Sequence, residues 1–190
     1  DNVENLQGFV HKLLKFRIGD ELFLLNNIGL ARLFVESPEQ TAGLVDSLSL
    51  WILVLGISGL EVVPELRIRS QEQDIMDIAQ EFGLFPVETL STVTSSRMQK
   101  VLYNTSKEPY WKLRYKGGCH DVFFLTTFGK VPDLIANIYS LASACGYPAT
   151  EIGIYLQPVV QGVCYHCEFS FPFNPSDSKE VNRVEKFSTE

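Results

Sequence analysis

Residues 150–173, TEIGIYLQPVVQGVCYHCEFSFPF, constrain the fold more than any other stretch of this chain. Apolar and polar residues alternate on both sides of a reversal at residues 158–162. Because successive side chains of a β-strand point to opposite faces, this alternation predicts two paired strands, each with one apolar and one polar face. The apolar set is Ile152, Ile154 and Leu156 in the first strand and Val163, Tyr165, Cys167, Phe169 and Phe171 in the second.

The polar face of this strand pair is a candidate reaction site. It gathers Tyr155 and Gln157 from the first strand with His166 and Glu168 from the second. A carboxylate two residues from a histidine on one strand face can orient the imidazole and raise its basicity. An ordinary solvated face explains the same residues without any function, and the pattern alone favours that interpretation. His120 precedes a predicted strand, and its side chain either reaches the same polar face or belongs to a loop.

The second half of the chain, residues 106–190, follows a regular order of elements. A strand is predicted over 121–128, and a helix runs from Pro132 to Cys145 ahead of the strand pair. Residues 174–177, NPSD, are typical of a helix start and predict a final helix. Strand, helix, strand, strand, helix is the order of a ferredoxin-like unit. We therefore predict an α+β fold, an antiparallel sheet flanked by helices, with a ferredoxin-like second half.

The first half, residues 1–105, also mixes helices and strands. Helices are predicted over 2–16 (with Asn2 near its cap), 28–35, 37–47, 61–82 and 94–104. Strands are predicted over 21–25 and 51–57, and a loop is predicted over 105–109. The segment 84–93 is ambiguous, with a strand as one interpretation. Residues 51–57, WILVLGI, show no alternation. Strands buried on both faces have such continuous apolar runs, so we predict that this strand is central in its sheet.

The overall composition excludes several classes of partner. The chain has 190 residues, 45% hydrophobic and 21% charged, which is typical of a soluble globular protein of one domain or two small ones. Its net charge of -7 argues against nucleic acid and anionic membrane surfaces as partners. The longest apolar run, 48–57, is too short to span a bilayer. Four cysteines fit reduced thiols better than a disulfide framework, so we expect a cytoplasmic protein.

Known chemical motifs are mostly missing from the sequence. Cys164 and Cys167 have the spacing of zinc ligands, with His166 between them and Cys119 upstream. An extended strand sends residues three apart to opposite faces, so we expect buried thiols and no metal. The sequence also lacks a Gly-x-Ser-x-Gly elbow, a Gly-x-Gly-x-x-Gly turn and a Gly-Lys-Ser/Thr phosphate loop. It therefore predicts no serine hydrolase and no cradle of its own for a nucleotide pyrophosphate.

Three stretches carry a resemblance to a known family. Residues 13–34, 50–83 and 117–180 resemble the cap, or substrate-binding, region of FAD-linked oxidases of the vanillyl-alcohol oxidase and p-cresol methylhydroxylase type, in order of elements and scattered identities. The third stretch also resembles the C-terminal domain of the flavin-linked 2-hydroxy-acid dehydrogenases, glycolate oxidase among them. The resemblance implies a cap whose sheet covers the flavin and encloses a small-molecule substrate. It also implies a separate FAD-binding domain missing from this chain, which begins at Asp1 without Met and which we expect to be a fragment.

The resemblance also implies roles for particular residues. His166 would be the base or hydrogen-bond partner of a substrate hydroxyl, and Glu168 would orient it. Tyr155 and Gln157 would be polar contacts, His120 a further substrate contact, and Arg67 or Arg69 would meet an anionic substrate. At the position where some relatives attach flavin covalently, this chain has Ser58 and Gly59, so we expect non-covalent FAD. The Gly-Asp-Gly-Asn segment of the metal-dependent relatives is missing, which argues against a catalytic metal.

The favoured hypothesis is therefore the substrate-binding cap part of an FAD-dependent oxidoreductase acting on an alcohol, a phenol or a 2-hydroxy acid. One alternative is a stand-alone ferredoxin-like binding or assembly module without catalysis. Another is a small metal-binding protein that uses Cys164, Cys167 and a histidine. An uncovered flavin-facing surface would also allow an isolated cap to form a homodimer.

Overall fold

The computed structural model describes residues 3–35, 37–103 and 110–189, and these are built around one five-stranded sheet. The strands are β1 (Glu21–Asn26), β2 (Trp51–Gly56), β3 (Thr89–Leu90), β4 (Val93–Thr94), β5 (Gly118–Thr126), β6 (Gly153–Val159) and β7 (Cys164–Phe173). The order in the large sheet is β2-β1-β6-β7-β5, with every neighbouring pair antiparallel. Strands β3 and β4 form a separate hairpin within the segment that the sequence left ambiguous.

Helices flank this sheet. They are α1 (Val3–Phe16), α2 (Asn27–Phe34), α3 (Pro38–Val45), α4 (Pro64–Glu81), α5 (Ser95–Tyr103), α6 (Val131–Cys145) and α7 (Ser178–Thr189). The predicted α+β fold is confirmed, and β5, α6, β6, β7 and α7 follow the ferredoxin-like order in the second half. The predicted cap at Asn2 and the predicted loop over 105–109 lie outside the described residues. None of the helices in the described ranges combines the length and apolarity needed to cross a bilayer.

The main core lies on one face of the sheet, against α1, α4, α6 and α7. The predicted apolar residues point into it, and Leu156, Cys167 and Phe169 are fully buried there. Val163 is the exception: it precedes β7 and is 72% exposed, which corrects its place in the predicted apolar set. A smaller core lies on the opposite face, where Leu30 of α2 covers Phe23 of β1. Because the helices on this second face sit over β1 and β2, the β5–β7 end of the face is less covered.

Strand β2 is an edge strand, which corrects the prediction that 51–57 is central. It pairs with β1 on one side and ends the sheet on the other. Leu53 packs against the main core, whereas Ile52 packs into the smaller one. The missing alternation therefore reports two covered faces and says nothing about whether both edges of the strand are paired.

Asn26 joins the two halves of the chain at the middle of the sheet. Its Oδ1 caps α2 by accepting from the Gly29 N–H at 2.8 Å, and it also accepts from the Ile154 N–H at 2.9 Å. Its Nδ2 donates to the Ile152 carbonyl at 2.8 Å. Since β1 also pairs with β6, one sheet runs through both predicted halves. The division at residues 105 and 106 stays a prediction.

Candidate active site on the open face of the sheet

The less covered end of the sheet carries the polar side chains singled out in the sequence. The β6–β7 register sets Tyr155 opposite Glu168 and Gln157 opposite His166. Directly opposite residues of antiparallel strands point to the same side, so all four side chains share one face. Strand β5 adds its own side chains to this face through its pairing with β7. We call this surface the open face; its residues are Asp121, Phe123, Leu125, Tyr155, Gln157, His166 and Glu168.

Two large apolar side chains are exposed on the open face. Phe123 is 65% exposed and Leu125 is 67% exposed, although both belong to a strand of the main sheet. They lie directly opposite Glu168 and His166, respectively. A polar pair flanked by exposed apolar side chains is typical of a surface that binds a ligand or a partner.

His166 is held between two aromatic rings. Its imidazole stacks on Phe123 with centroids 5.7 Å apart and meets the edge of Tyr155 at 6.0 Å. Its Nε2 lies 3.6 Å from Oε2 of Glu168, which is longer than a hydrogen bond but close enough for electrostatic orientation. The side chain remains 29% exposed, so a ligand on the open face can reach it.

Lys112 is a buried cation at the open face that the sequence analysis did not single out. It sits on a short 3-10 helix, Trp111–Leu113, and its side chain is only 7% exposed. Its Nζ donates to Oδ2 of Asp121 at 2.8 Å and to Oε1 of Glu168 at 2.5 Å. Burial opposes the charge on Lys112, but the two carboxylates outweigh that effect, so its pKa is raised above the ordinary value. The flanking aromatic residues in the sequence YWKL were the available signal, and they do not reveal which carboxylates the lysine reaches.

Tyr155 completes the polar part of the open face as a neutral phenol. Burial raises the pKa of Tyr155 to about 12, and the nearby charge of Glu168 acts in the same direction. The hydroxyl therefore remains protonated at neutral pH and can both donate and accept a hydrogen bond.

The structure does not bring His120 to the open face. His120 lies directly opposite Phe171, which is buried in the main core, and the two rings are 6.4 Å apart. Its side chain therefore points to the helix-covered side of the sheet. The expectation that His120 reaches the same polar face as His166 is not met, because the two positions fall on opposite faces in the β5–β7 register.

Arg67 also lies away from the open face, where β1 begins and β2 ends. Its guanidinium binds both carboxylate oxygens of Asp20, at 2.9 and 3.0 Å, and donates to the backbone carbonyl of Ser58. The bonds from Arg67 hold the pKa of Asp20 well below its usual range. Arg67 therefore links the start of α4 to Asp20 and to the loop after β2.

Arg32 is a second buried cation that the sequence did not single out. Its guanidinium donates to the Glu151 carbonyl and lies 5.1 Å from the centre of the Tyr115 ring. Its Nε has no hydrogen-bond partner among the described residues, and burial lowers the pKa of the group. A Cβ at Gly153 would lie 2.4 Å from Oγ of Ser170 and 3.2 Å from this guanidinium, so a larger residue there would force neighbouring side chains to move.

The cysteines do not form a metal centre in the part of the chain that the structure describes. Cys164 and Cys167 fall on opposite faces of β7, and all four cysteines are free thiols. Burial raises the pKa of Cys167 to about 12, so this thiol stays protonated. Among the described residues, no group of three or more His, Cys, Asp or Glu side chains has a geometry that could hold a metal ion.

Comparison with known proteins identifies a shared fold. No protein-family model matches the sequence, and no curated protein matches it. Among solved structures, the chain is similar to an alkyldihydroxyacetonephosphate synthase, with a TM-score of 0.50 and 12% sequence identity. The match covers 97% of this chain and 37% of the synthase, so the chain spans little more than a third of that protein's length. At this identity the likeness shows the fold and assigns no residue a role.

Proposed function

We propose that this chain is the substrate-covering part of an FAD-dependent oxidoreductase, with His166 as the proton acceptor. The observation that carries the proposal is the His166–Glu168 pair on the open face, beside the exposed side chains of Phe123 and Leu125. These four residues provide a base, a carboxylate that orients it, and an apolar surface for the body of a substrate.

The fold likeness supports the proposal at a coarse level. Nearly the whole of this chain matches a part of the solved alkyldihydroxyacetonephosphate synthase, which agrees with a domain that belongs to a larger enzyme. The sequence resemblance to vanillyl-alcohol oxidase and p-cresol methylhydroxylase points to the same flavin-linked class. We propose an alcohol, a phenol or a 2-hydroxy acid as the substrate.

We propose that the open face covers the ring of a flavin and does not hold the whole cofactor. Phe123 and Leu125 expose apolar surface beside the His166 ring, and an apolar surface of this kind can pack against an aromatic group. The sequence provides no glycine-rich cradle for a pyrophosphate, so we assign that part of FAD to a domain outside this chain. By the family resemblance, Ser58 and Gly59 stand where some relatives attach flavin covalently, and neither can form that link, so we propose non-covalent binding.

Each residue has a specific task in this proposal. His166 accepts the proton of the substrate hydroxyl, and Glu168 stabilises the imidazolium that results. Tyr155 and Gln157 hold the hydroxyl by hydrogen bonds, and Phe123 and Leu125 keep water from the reacting carbon. The flavin, when bound, supplies the acceptor for the hydride that leaves that carbon.

The test is turnover of the full-length protein that contains this chain. We expect flavin absorbance that bleaches when the substrate is added, and His166→Ala should lower the rate of flavin reduction by about a hundredfold or more while flavin content is retained. His11→Ala, on an exposed position of α1, is the matched control and should leave the rate unchanged. A full-length protein without flavin, or an unchanged rate in His166→Ala, would contradict the proposal.

A further inference from the structure

Lys112 is linked to the proposed base, His166, through the carboxylate of Glu168. The bonds from its Nζ reach Asp121 on β5 and Glu168 on β7, so one ammonium links the two acidic side chains of the open face. Glu168 binds Lys112 through Oε1 and turns Oε2 toward Nε2 of His166. The four side chains therefore form a series in the order Asp121, Lys112, Glu168, His166.

Three titratable groups beside these charges, Tyr155, Tyr110 and Cys119, are neutral at pH 7, while Arg32 adds a positive charge near Cys119 and Glu21 a negative one near Tyr155. Burial raises the pKa of Tyr155 to about 12, and burial also raises the pKa of Tyr110, which stands next to the 3-10 helix of Lys112. Burial raises the pKa of the Cys119 thiol to about 12. Glu168 is therefore the carboxylate that acts on the imidazole, from 3.6 Å, and the Lys112 ammonium bonded to its other oxygen offsets that charge. Without Lys112 the charge of Glu168 would be uncompensated.

We propose that Lys112 is a positioning residue that keeps His166 available as a neutral base by compensating the charge of Glu168. The effect of Lys112 on the charge of His166 rests on the contacts among Lys112, Glu168 and His166. Its importance for a reaction rests on the proposed function. A base must be unprotonated to accept a proton, and an uncompensated Glu168 carboxylate would favour the imidazolium. Lys112 thus acts on His166 through Glu168, without contacting a substrate itself.

The first experiment follows the His166 ring signals by NMR as a function of pH in this chain without any flavin. Lys112→Met should move the midpoint of the ring titration upward by about 0.5 to 1 pH unit, as expected for one charge lost at a partly exposed site. Glu168→Gln should move it downward, and Lys112→Arg should keep it near the original value. An unchanged or lower midpoint in Lys112→Met would overturn the proposal.

Lys116→Met is the matched control for this measurement. Lys116 is also largely buried and also bridges two carboxylates, with its Nζ 2.7 Å from Glu151 and 3.1 Å from Glu180. It belongs to a different part of the surface, so its replacement should leave the midpoint of the His166 ring titration unchanged. If Lys116→Met moves the midpoint as far as Lys112→Met does, the effect is general loosening and the proposal is wrong.

The second experiment measures flavin reduction against pH in the full-length protein. Lys112→Met should lower the rate about three- to tenfold on the acidic side and approach the original rate above about pH 8. A purely structural role would lower the rate equally at every pH, which would overturn the proposal. If the ring titration moves as expected but the pH dependence of flavin reduction does not, the charge relation stands and the proposed role of His166 as base fails.

Discussion

Asn26 accepts a hydrogen bond from the backbone of Ile154, a residue 128 positions later in the chain, through the same oxygen that caps α2. Asn26 is 1% exposed, and the three backbone groups it bonds belong to Gly29, Ile152 and Ile154. One side chain therefore fixes the entry of a helix and the start of the strand that carries Tyr155 and Gln157.

Replacing Asn26 by alanine should destabilise the whole chain. The change leaves buried backbone donors and an acceptor without partners, so we expect a loss of about 3 kcal/mol in the free energy of unfolding. Urea denaturation followed by circular dichroism measures it. Asn27→Ala is the control, since the Asn27 Oδ1 bonds to the adjacent Ile28 N–H, and it should cost less than about 1 kcal/mol.

The same experiment tests whether the chain is one folding unit. Because β1 pairs with β6 in a single sheet, we expect one cooperative transition for both the original chain and Asn26→Ala. Two separate transitions, with only the first shifted by the substitution, would instead support independent halves over 1–105 and 106–190.

The ion pair between Arg67 and Asp20 should make stability depend on pH in the acid range. The pKa of Asp20 is lowered in the folded chain, chiefly by Arg67, so its stabilising effect is present above the unfolded value of about 3.9 and is lost as pH falls below it. Arg67→Met should therefore be less stable than the original chain at pH 7, and the difference should narrow as the pH falls from 4. The carboxylate is 41% exposed, so high salt should also reduce the difference. An unchanged stability at pH 7, measured by urea denaturation, would contradict this prediction.

The shared face of the site residues was predictable from the sequence because strand alternation is a local property. In both strands the residues that alternate with Tyr155, Gln157, His166 and Glu168 are apolar and face the main core, so these four face away from it. The position of His120 was not predictable in the same way. Its face depends on the register of β5 against β7, and a shift of one residue moves every side chain of a strand to the other side.

Lys112 and the edge position of β2 depend on tertiary structure. Lys112 lies on a single 3-10 turn, and its partners are 9 and 56 positions away along the chain. Local sequence carries no signal for such a contact. Likewise the apolar run of β2 indicates that both faces are covered, whereas its place in the sheet depends on which strands pair with β1.

Lys112→Met should also destabilise the chain, and removing the partner charges should reverse the loss. The two carboxylates, 28% and 20% exposed, would be left without their cation, so we expect a cost of about 2 kcal/mol. The triple variant Lys112→Met, Asp121→Asn, Glu168→Gln should recover most of the lost free energy of unfolding.

The pKa of Lys112 is raised, so its stabilising effect is present below the unfolded value of about 10.4 and is lost as pH rises through the folded value. Unfolding by urea at pH 7 and at pH 11 checks both statements, and a triple variant no more stable than Lys112→Met would contradict the charge argument.

The turn between β6 and β7 contains a β-branched residue in a conformation that favours glycine or asparagine. Val160 has φ +49° and is 73% exposed, and it is followed by Gln161 at φ +56° and Gly162 at φ +82°. A β-branched side chain at positive φ is strained, whereas asparagine tolerates this region. We therefore expect Val160→Asn to raise the free energy of unfolding by about 1 kcal/mol. Val163→Asn is the control, because Val163 is equally exposed but has φ -63°, and its substitution should change stability by less than about 0.5 kcal/mol. If Val160→Asn is no more stable than the original chain while Val163→Asn behaves as expected, the turn is not strained at this position.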